Sequence, residues 1–503
     1  MMKRFLSLAM ACALALGTVC SAQAIETKIS GQWLFTFGWT DNVNKSQGSF
    51  VKNGDRKAGK NADIFKSGQR VRTQVDFIAS ENLSAMLLFE IGTIDWGRDR
   101  GKSGPSSGGG LDADGVNVET KRAYLDWMIP NTDVKMRMGI QGFHLPWAYG
   151  GYGANPVLAN EGTGITLSTS IVDGVAFTAF WLRAFDAAEF DANGKNKMDE
   201  TDIFGMTLPI TAIDGVRIVP WGVYAAIGAD SGFWGYYNRS QGQFTGFNAA
   251  GEPQYDKSGW SNTDSNAWYA GVAVNIDILD PLTFAFDAMY GHLNGGDDSM
   301  SDSTPGSKGW MIDAALRYKL DWGTAGLFGW YASGDDEDAI RDGKFGRLPT
   351  LGYDWGPGFT SFGFDGSSAD LYSDWHVSIS AVGTWGIGLE LVDMSFVQDL
   401  SHTIRVAYYA GTNDADLVKN NPDSFLRRQN NAMYIGEFQY MTDEDYAIEV
   451  NFDHIYKIYE GFTAHLDLGY IHMNLDDSTW RNTSLGNETD DAWKATLTFQ
   501  FRF

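Results

Sequence analysis

Residues 492–503, AWKATLTFQFRF, form a run in which apolar and polar side chains alternate. The apolar set is Trp493, Ala495, Leu497, Phe499, Phe501 and Phe503, and the polar set is Lys494, Thr496, Thr498, Gln500 and Arg502. A period of two residues predicts an extended strand with one apolar and one polar face. Strands of water-soluble proteins rarely end on three alternating phenylalanines, so the pattern favours a strand with lipid on one side and water on the other.

The same alternation recurs along the chain. Its clearest apolar faces are Ile29, Gly31, Trp33, Phe35, Phe37 and Trp39; Val71, Thr73, Val75, Phe77 and Ala79; Trp268, Ala270, Val272, Val274 and Ile276; Leu282, Phe284, Phe286 and Ala288; and Trp310, Ile312, Ala314, Leu316, Tyr318 and Leu320. These strands are too many for a small β-sandwich, and no segment after residue 24 is apolar for the roughly 20 residues of a membrane-spanning helix.

Short turns and long polar loops alternate between the predicted strands. The turns are Glu81-Asn82, Pro130-Asn131-Thr132, Asp173-Gly174, Asp214-Gly215, Asp280-Pro281, Asp321-Trp322-Gly323, Asp399-Leu400 and Glu460-Gly461, and the loops lie near 41–67, 96–117, 145–163, 186–200, 230–266, 293–309, 335–372, 412–431 and 475–489. Eight turns and nine loops predict an all-β fold, a transmembrane antiparallel up-and-down β-barrel of 18 strands. Sixteen strands is the alternative, because residues 385–400 and 432–446 are ambiguous.

This strand count leaves both chain ends on the side of the short turns, where the 493–503 strand is expected to pair with the 27–39 strand. That pairing would remove the open sheet edges that lipid does not tolerate. A barrel of 16 to 18 strands encloses an aqueous lumen. Tryptophans near strand ends predict aromatic girdles at the level of the lipid headgroups, namely Trp33, Trp39, Trp127, Trp147, Trp221, Trp268, Trp310, Trp322 and Trp375.

Residues 1–24 have the pattern of a secretory signal peptide. Lys3 and Arg4 precede an apolar run over residues 5–19, and residues 21–24, SAQA, match the small-residue cleavage rule. We predict cleavage after Ala24, which leaves 25–503 as a single domain. Export and the strand pattern together predict the outer membrane of a Gram-negative bacterium.

Charge and motif content exclude several other classes of function. Both cysteines, Cys12 and Cys20, lie in the signal peptide, so the mature chain is expected to contain no disulfide bond. Losing Lys3 and Arg4 moves the net charge from −25 to −27, which disfavours nucleic-acid binding. The seven histidines lack metalloprotease spacing, and no Gly-x-Ser-x-Gly elbow is present. We therefore predict no catalytic residues and no enzyme activity.

Basic residues collect on the predicted inner face of the early strands. The set is Arg70, Arg72, Arg122, Lys135 and Arg137. Such charges in a lumen set the electrostatic field that selects among ions. The alternative is a solvated position near the rim, where they would have little effect.

The third long loop contains LPWAYGGYGANPVLANE, residues 145–161. Its glycines and aromatics suit a segment folded into the lumen. The loop resembles that of the general porin family, whose third external loop narrows the pore and carries a Pro-x-x-Gly-Gly-like run. This resemblance implies a constriction formed by Trp147, Tyr149, Tyr152 and Glu161, although Glu161 alone supplies the acidity usual in that family.

A calcium-loop-like spacing lies at residues 189–200. Glu189, Asp191, Asn193 and Glu200 occupy positions 1, 3, 5 and 12 around Gly194 at position 6, as in an EF-hand loop. Lys195 and Lys197 oppose a cation, and flanking helices are not predicted. This segment is therefore predicted either to bind Ca²⁺ or to be a solvated polar loop. No other cofactor is expected.

Three segments resemble the outer-membrane homotrimeric porins of sulfate-reducing bacteria: residues 28–39, KISGQWLFTFGW; 134–146, VKMRMGIQGFHLP; and 495–503, ATLTFQFRF. The resemblance covers nearly all of the mature chain and implies a homotrimer and passive diffusion of small solutes. The strand containing Phe499, Phe501 and Phe503 resembles the signal that the barrel-assembly machinery recognises in such proteins. Outer-membrane lipid and lipopolysaccharide are the expected surroundings.

The sequence thus predicts a porin, a water-filled channel through which ions and small hydrophilic solutes diffuse. Two alternatives stay open. One is a substrate-selective channel that binds sugars or acids along an aromatic path. The other is an outer-membrane barrel enzyme such as a lipase, for which the sequence indicates no particular serine.

Overall fold

A computed structural model describes residues 25–41, 64–98, 108–111, 118–149, 154–186, 200–228, 231, 233, 243–247, 253–256, 264–294, 306–342, 344–353, 371–372, 381–421, 440–481 and 491–503. The predicted signal peptide, residues 1–24, lies outside these ranges and stays a prediction. No helix within them is long and apolar enough to cross a membrane.

Eighteen long strands form one sheet. In chain order they are β1 (Glu26–Asp41), β2 (Ile64–Ser80), β3 (Leu83–Asp95), β4 (Val118–Met128), β5 (Lys135–His144), β6 (Leu158–Val172), β7 (Val175–Phe185), β8 (Thr201–Thr207, continued by Ile210–Ile213), β9 (Val216–Ile227), β10 (Ser265–Ile276), β11 (Leu282–Leu293), β12 (Gly306–Leu320), β13 (Gly323–Ala332), β14 (Thr384–Val397), β15 (Leu400–Gly411), β16 (Tyr446–Tyr459), β17 (Phe462–Asn474) and β18 (Ala492–Arg502). The prediction of 18 strands is confirmed.

Each strand pairs antiparallel with its neighbours in sequence, and β1 also pairs with β18. The β1–β18 register runs from Gln32 opposite Arg502 to Asp41 opposite Trp493. Reciprocal backbone hydrogen bonds between Gly31 and Phe503, 2.9 and 3.1 Å long, extend it. The sheet is therefore a closed barrel with no edge strand at the seam.

The eight predicted turns all join consecutive strands. Gly174 and Gly215 have φ angles of 72° and 73°. This left-handed conformation is one that glycine adopts without steric cost and that two-residue hairpin turns require. Pro209 interrupts β8, because proline has no N–H to donate to the sheet.

The two faces of the barrel differ as the alternation predicted. Large apolar side chains exposed on the outer face include Ile29, Trp33, Trp39, Trp268, Trp310, Ile312, Leu316, Trp322, Leu389 and Trp493. The girdle assignment is wrong for Trp221, which is only 5% exposed and packs inside the barrel. It is also wrong for Trp147, which packs against the internal apolar cluster, whereas Trp375 lies outside the described residues.

Small elements occur in the long loops. They are α1 (Ala339–Asp342), α2 (Ala415–Asn420), α3 (Asp477–Trp480), the two-residue strands Lys344–Phe345 and Gly352–Tyr353, and a hairpin of Gln243–Phe247 with Pro253–Asp256. We call the end of the barrel that carries these loops the loop end and the opposite end the turn end. Loop side chains such as Leu145, Val157, Leu351 and Trp480 join inward-facing wall residues in one buried cluster. The apolar core therefore lies inside the barrel.

Candidate functional site

The inner wall is the candidate site, because it carries most of the buried polar and charged side chains of the strands. Its buried polar residues include Thr36, Glu90, Asp126, Gln141, Asp287, Asp313, Glu390, Arg405, Glu449, Asn451, Asp453, Asp467, Lys494, Thr498 and Gln500. Charged side chains leave water only at high cost unless they are paired or hydrogen-bonded. A charged inner wall inside an apolar outer wall is the arrangement of a barrel with a polar interior in an apolar medium.

The first predicted basic pair meets one carboxylate. Arg72 donates from Nε to Glu90 Oε2 over 2.6 Å, and Arg70 Nε lies 3.9 Å from the same oxygen. Glu90 lies directly across from Arg72 on β3. The sequence interpretation named the two arginines and missed Glu90, although Glu90 also lies on an alternating strand and faces the same way.

The second basic pair is arranged in the same way around Asp126 on β4. Arg137 donates two hydrogen bonds, 2.7 and 2.8 Å long, to the two oxygens of Asp126. Lys135 Nζ lies 2.8 Å from Asp126 Oδ2. The Arg137 guanidinium also lies 3.9 Å from the centroid of the Tyr124 ring, a cation–π contact. Two cations thus share one acid, and the arginine is held on an aromatic face.

Arg122 and Glu161, predicted separately for the pore lining and for the constriction loop, form an ion pair with each other. Arg122 Nε donates to Glu161 Oε1 over 2.9 Å, and Lys121 Nζ lies 3.5 Å from Oε2. The predicted loop boundary is wrong here, because β6 begins at Leu158 and Glu161 lies within that strand. Pairing with β5, which reaches His144 opposite Ala159, extends β6 in front of the point where its alternation becomes regular.

The third loop, residues 145–157 and called L3 below, enters the barrel interior with its described residues 145–149. The backbone N–H groups of Ala148 and Tyr149 donate to the Asp287 carboxylate on β11 over 2.8 to 3.0 Å. Asn275 Nδ2 of β10 donates to the Ala148 carbonyl over 2.8 Å. L3 joins β5 to β6, so these contacts bring Ala148 and Tyr149 to a wall several strands away. Asp287 and Asn275 are site residues that the sequence interpretation missed.

The Tyr149 side chain is held between two other strands. Its ring centroid lies 5.8 Å from that of Phe328 on β13, and the Arg317 guanidinium of β12 lies 5.1 Å from the Tyr149 ring. Tyr149 is 2% exposed. Trp147 packs nearby against the internal cluster, and Tyr152 lies outside the described residues.

A second loop, residues 333–383 and called L7 below, also enters the interior. Gly352–Tyr353 pairs in parallel with Leu158–Ala159 at the start of β6. Further along L7, the Tyr372 carbonyl accepts a 2.7 Å hydrogen bond from Lys494 Nζ on β18, and Leu371 N donates to Thr36 Oγ1 on β1 over 3.3 Å. L7 begins after β13, so its described parts reach both the β6 wall and the β1–β18 seam. The sequence interpretation assigned no interior role to this loop.

The loops that follow β15 and β17 are joined by one carboxylate. Asp445 accepts hydrogen bonds from Thr442 N, Thr442 Oγ1, Asp476 N and Trp480 Nε1 over 2.7 to 3.0 Å. Burial raises the pKa of Asp445 to about 6 despite these bonds. Asp476, which caps α3, has its pKa lowered to about 2, first through its hydrogen bond from Ser478.

The calcium-loop prediction falls mostly outside the described residues. Glu189, Asp191 and Asn193 are not described, and Glu200, which is described, contributes its backbone carbonyl to a hydrogen bond from Gly228 N. In the described part of the chain, no group of three or more His, Cys, Asp or Glu side chains converges on a metal-binding position. Calcium binding at this loop stays a prediction.

Comparison with known proteins relates this chain to others by fold. No protein-family model and no curated protein matches the chain. Solved structures that resemble it include Pseudomonas aeruginosa OpdO, with 11% identity, 95% of this chain and 97% of that chain covered, and a TM-score of 0.51. P. aeruginosa OccK9 (OpdG) shows 10% identity, coverage of 95% and 99%, and a TM-score of 0.50. The protein therefore has a porin-like transmembrane β-barrel fold.

Proposed function

We propose that this protein is an outer-membrane porin whose lumen conducts ions and small hydrophilic solutes by passive diffusion. One observation carries the proposal: a charged inner wall is enclosed by a closed, apolar outer wall. On that inner wall the side chains of Arg72, Arg122, Lys135 and Arg137 are 32 to 49% exposed, which indicates an aqueous interior. The fold shared with OpdO agrees with this reading.

The proposal includes the finer predictions made from the sequence. They are a cleaved signal peptide, a homotrimer of the kind found in sulfate-reducing bacteria, insertion by the barrel-assembly machinery through the strand ending at Phe503, and contact with lipopolysaccharide at the loop end. L3 would form the constriction. The five predicted basic residues would line the lumen in acid–base pairs, which reduces the anion preference expected from the basic residues alone.

Planar-bilayer recording of the purified protein tests the proposal. We expect stepwise, ohmic conductance, and liposomes that contain the protein should swell in small sugars. Tyr149→Ala should raise single-channel conductance and the solute size limit, because the Tyr149 side chain packs L3 against the wall at Phe328 and Arg317. Tyr331→Ala removes the same side chain from an outer-face position that is 43% exposed, and it should leave both quantities unchanged. A folded wild-type barrel that passes no current contradicts the proposal.

A substrate-selective channel is the second candidate, favoured by the Arg137 guanidinium, which is 34% exposed and lies on the Tyr124 ring. An aromatic ring next to a guanidinium suits solutes that combine an apolar part with an anionic group. Saturable flux that a competing solute blocks would support this candidate. Flux that rises linearly with concentration supports the general porin instead.

A further inference from the structure

Two histidines form an isolated pair on the barrel wall. His402 of β15 and His454 of β16 are direct cross-strand partners. Their Nδ1 atoms lie 2.6 Å apart, and their ring centroids lie 4.9 Å apart with the rings nearly perpendicular, at 85°. The two Nδ1 atoms therefore face each other between adjacent strands.

The strand alternation places this pair on the outer face. Val406 and Tyr408, at even positions of β15 like His402, are exposed, and so are Phe452 and Tyr456, at even positions of β16 like His454. His402 is the third residue of β15, directly after the turn that joins it to β14. The pair thus lies on the apolar side of the wall, close to the turn end.

A lipid-facing wall gives no structural reason for two imidazoles. The neighbouring Phe452 ring lies 4.2 Å from the His454 ring, and Leu466 is the cross-strand partner of His454 on β17. Polar side chains on this face cost free energy, most strongly toward the middle of the bilayer. A shared hydrogen bond between the Nδ1 atoms satisfies one nitrogen of each ring. A cation bound by both Nδ1 atoms would instead use the lone pair of each Nδ1 atom.

We propose that His402 and His454 form a binding site for a divalent late transition-metal ion, of the class Cu²⁺, Zn²⁺ or Ni²⁺. Neutral imidazole suits these ions, with metal–nitrogen distances of about 2.0 to 2.1 Å for Zn²⁺. Two nitrogens sharing such an ion lie roughly 3 Å apart, so the rings need to separate by only a few tenths of an ångström. When the ion binds, the ring that carries its proton on Nδ1 changes tautomer: water takes that proton and returns one to Nε2 of the same ring. Both imidazoles stay neutral, each Nδ1 lone pair binds the ion, and water completes the coordination.

Copper binding to the full-length mature barrel in detergent tests this site. The protein should carry a purification tag without histidine. One equivalent of Cu²⁺ should give an electron paramagnetic resonance spectrum with two nitrogen ligands. His402→Phe and His454→Phe should each weaken Cu²⁺ binding at least about tenfold and leave at most one nitrogen ligand, since each change removes half of the ligand set.

His472→Phe is the matched control. His472 also lies on a strand near its end, but its Nδ1 is 2.7 Å from Asp491, and no second histidine among the described residues faces it. This variant should keep the two-nitrogen spectrum. Equal loss in all three variants, or a spectrum with one nitrogen in the wild type, would overturn the proposal.

A second measurement needs no variant and covers the case in which a phenylalanine variant fails to fold. Zn²⁺ should protect both His402 and His454 of the wild-type protein from diethyl pyrocarbonate, as mapped by mass spectrometry, and leave the modification of His472 unchanged. Modification of the pair at the same rate with and without Zn²⁺ would also overturn the proposal. Neither readout depends on conductance, so failure here leaves the porin assignment intact.

Discussion

At the scale of single residues, the inner wall is organised by acids that each hold more than one base. Glu390 on β14 is the most buried example, because Arg317 donates to its Oε1 over 2.6 Å and Arg405 donates to its Oε2 over 2.8 Å. The Glu390 side chain is fully buried and that of Arg405 is 4% exposed. A buried ion pair contributes little net free energy to folding, because burying its charges is costly. Removing one partner is strongly destabilising, because the other charge is then buried without a partner.

Glu390→Gln tests this reading. The amide keeps the shape of the side chain but removes the charge that two arginines face, so we expect a loss of about 3 kcal/mol, typical of breaking a buried pair. When samples are heated before electrophoresis, the purified Glu390→Gln barrel should lose the gel mobility of the folded protein at a clearly lower temperature than the wild type. Glu460→Gln, in an exposed turn, is the control and should have no effect. Equal melting of all three proteins would show that Glu390 is solvated.

At the scale of elements, the long loops hold one another and the wall through a few polar contacts. Lys494 joins L7 to the β1–β18 seam, Asp287 joins L3 to β11, and Asp445 joins the loops that follow β15 and β17. Each contact uses a buried charged group and at least one backbone group of a loop. A single side-chain change can therefore release a whole loop.

Lys494→Met should release the described tip of L7. The methionine retains the apolar length of the lysine but cannot donate to the Tyr372 carbonyl. Limited proteolysis of folded protein should cut within residues 333–383 several-fold faster than in the wild type. Lys28→Met changes an exposed lysine near the start of β1 and should leave the rate unchanged. An unchanged rate in Lys494→Met would mean that other contacts hold L7.

The Asp445 contact should depend on pH. Its folded pKa, about 6, is above the ordinary 3.8, so the folded loops bind this proton more tightly than the open loops do. Stability of the contact should therefore fall as pH rises from about 4 to about 6 and stay constant above. Asp476, with its pKa near 2, acts in the opposite direction and loses its contribution as pH falls from about 4 toward 2.

Hydrogen exchange of residues 440–481 measures this dependence. Protection should be highest near pH 4 after correction for the intrinsic exchange rate. Asp445→Asn carries no titrating carboxyl and should remove the decline between pH 4 and 6, whereas Asp443→Asn nearby should retain it. A decline that persists in Asp445→Asn would assign it to another group.

At the scale of the whole molecule, closure depends on the strand that ends at Phe503. Its outward phenylalanines face lipid, and its backbone completes the hydrogen bonding of β1. An unpaired edge in lipid would leave several polar backbone groups unsatisfied. The same twelve residues thus close the barrel and carry the predicted assembly signal, and these two roles can be separated.

Phe503→Ser should separate them. The substitution keeps the backbone hydrogen bonds to Gly31 but removes the terminal aromatic side chain. We expect refolding from urea into detergent to be nearly unchanged and the amount inserted in the outer membrane of cells to fall several-fold. Phe396→Ser changes another exposed aromatic and should leave insertion normal. If Phe503→Ser and the wild type refold equally and insert in equal amounts, Phe503 is not part of the assembly signal.

The sequence by itself determined the strands, the turns, the closure and the two faces. These features follow from the alternation of apolar and polar side chains along each strand and from the preference of lipid for apolar side chains. Each strand can therefore be recognised from its own residues. Lys494, which belongs to the polar set of the alternating run 492–503, is buried inside the barrel. The exceptions were local as well: Trp221 lies on the inward set of β9 and was misplaced because aromatic residues near strand ends occur on both faces.

Only the tertiary structure decided which residues meet. L3 and L7 have no periodicity, so nothing in their sequence indicates that Tyr149 reaches β11 or that Tyr372 reaches the seam. The pairing of Arg72 with Glu90 and of His402 with His454 depends on strand register. Register is set jointly by the hydrophobic patterns of both strands and by turn geometry, so neither residue's own neighbours in sequence identify its partner. Fold was therefore predictable from local patterns, whereas the site depends on contacts between residues that are distant in the chain.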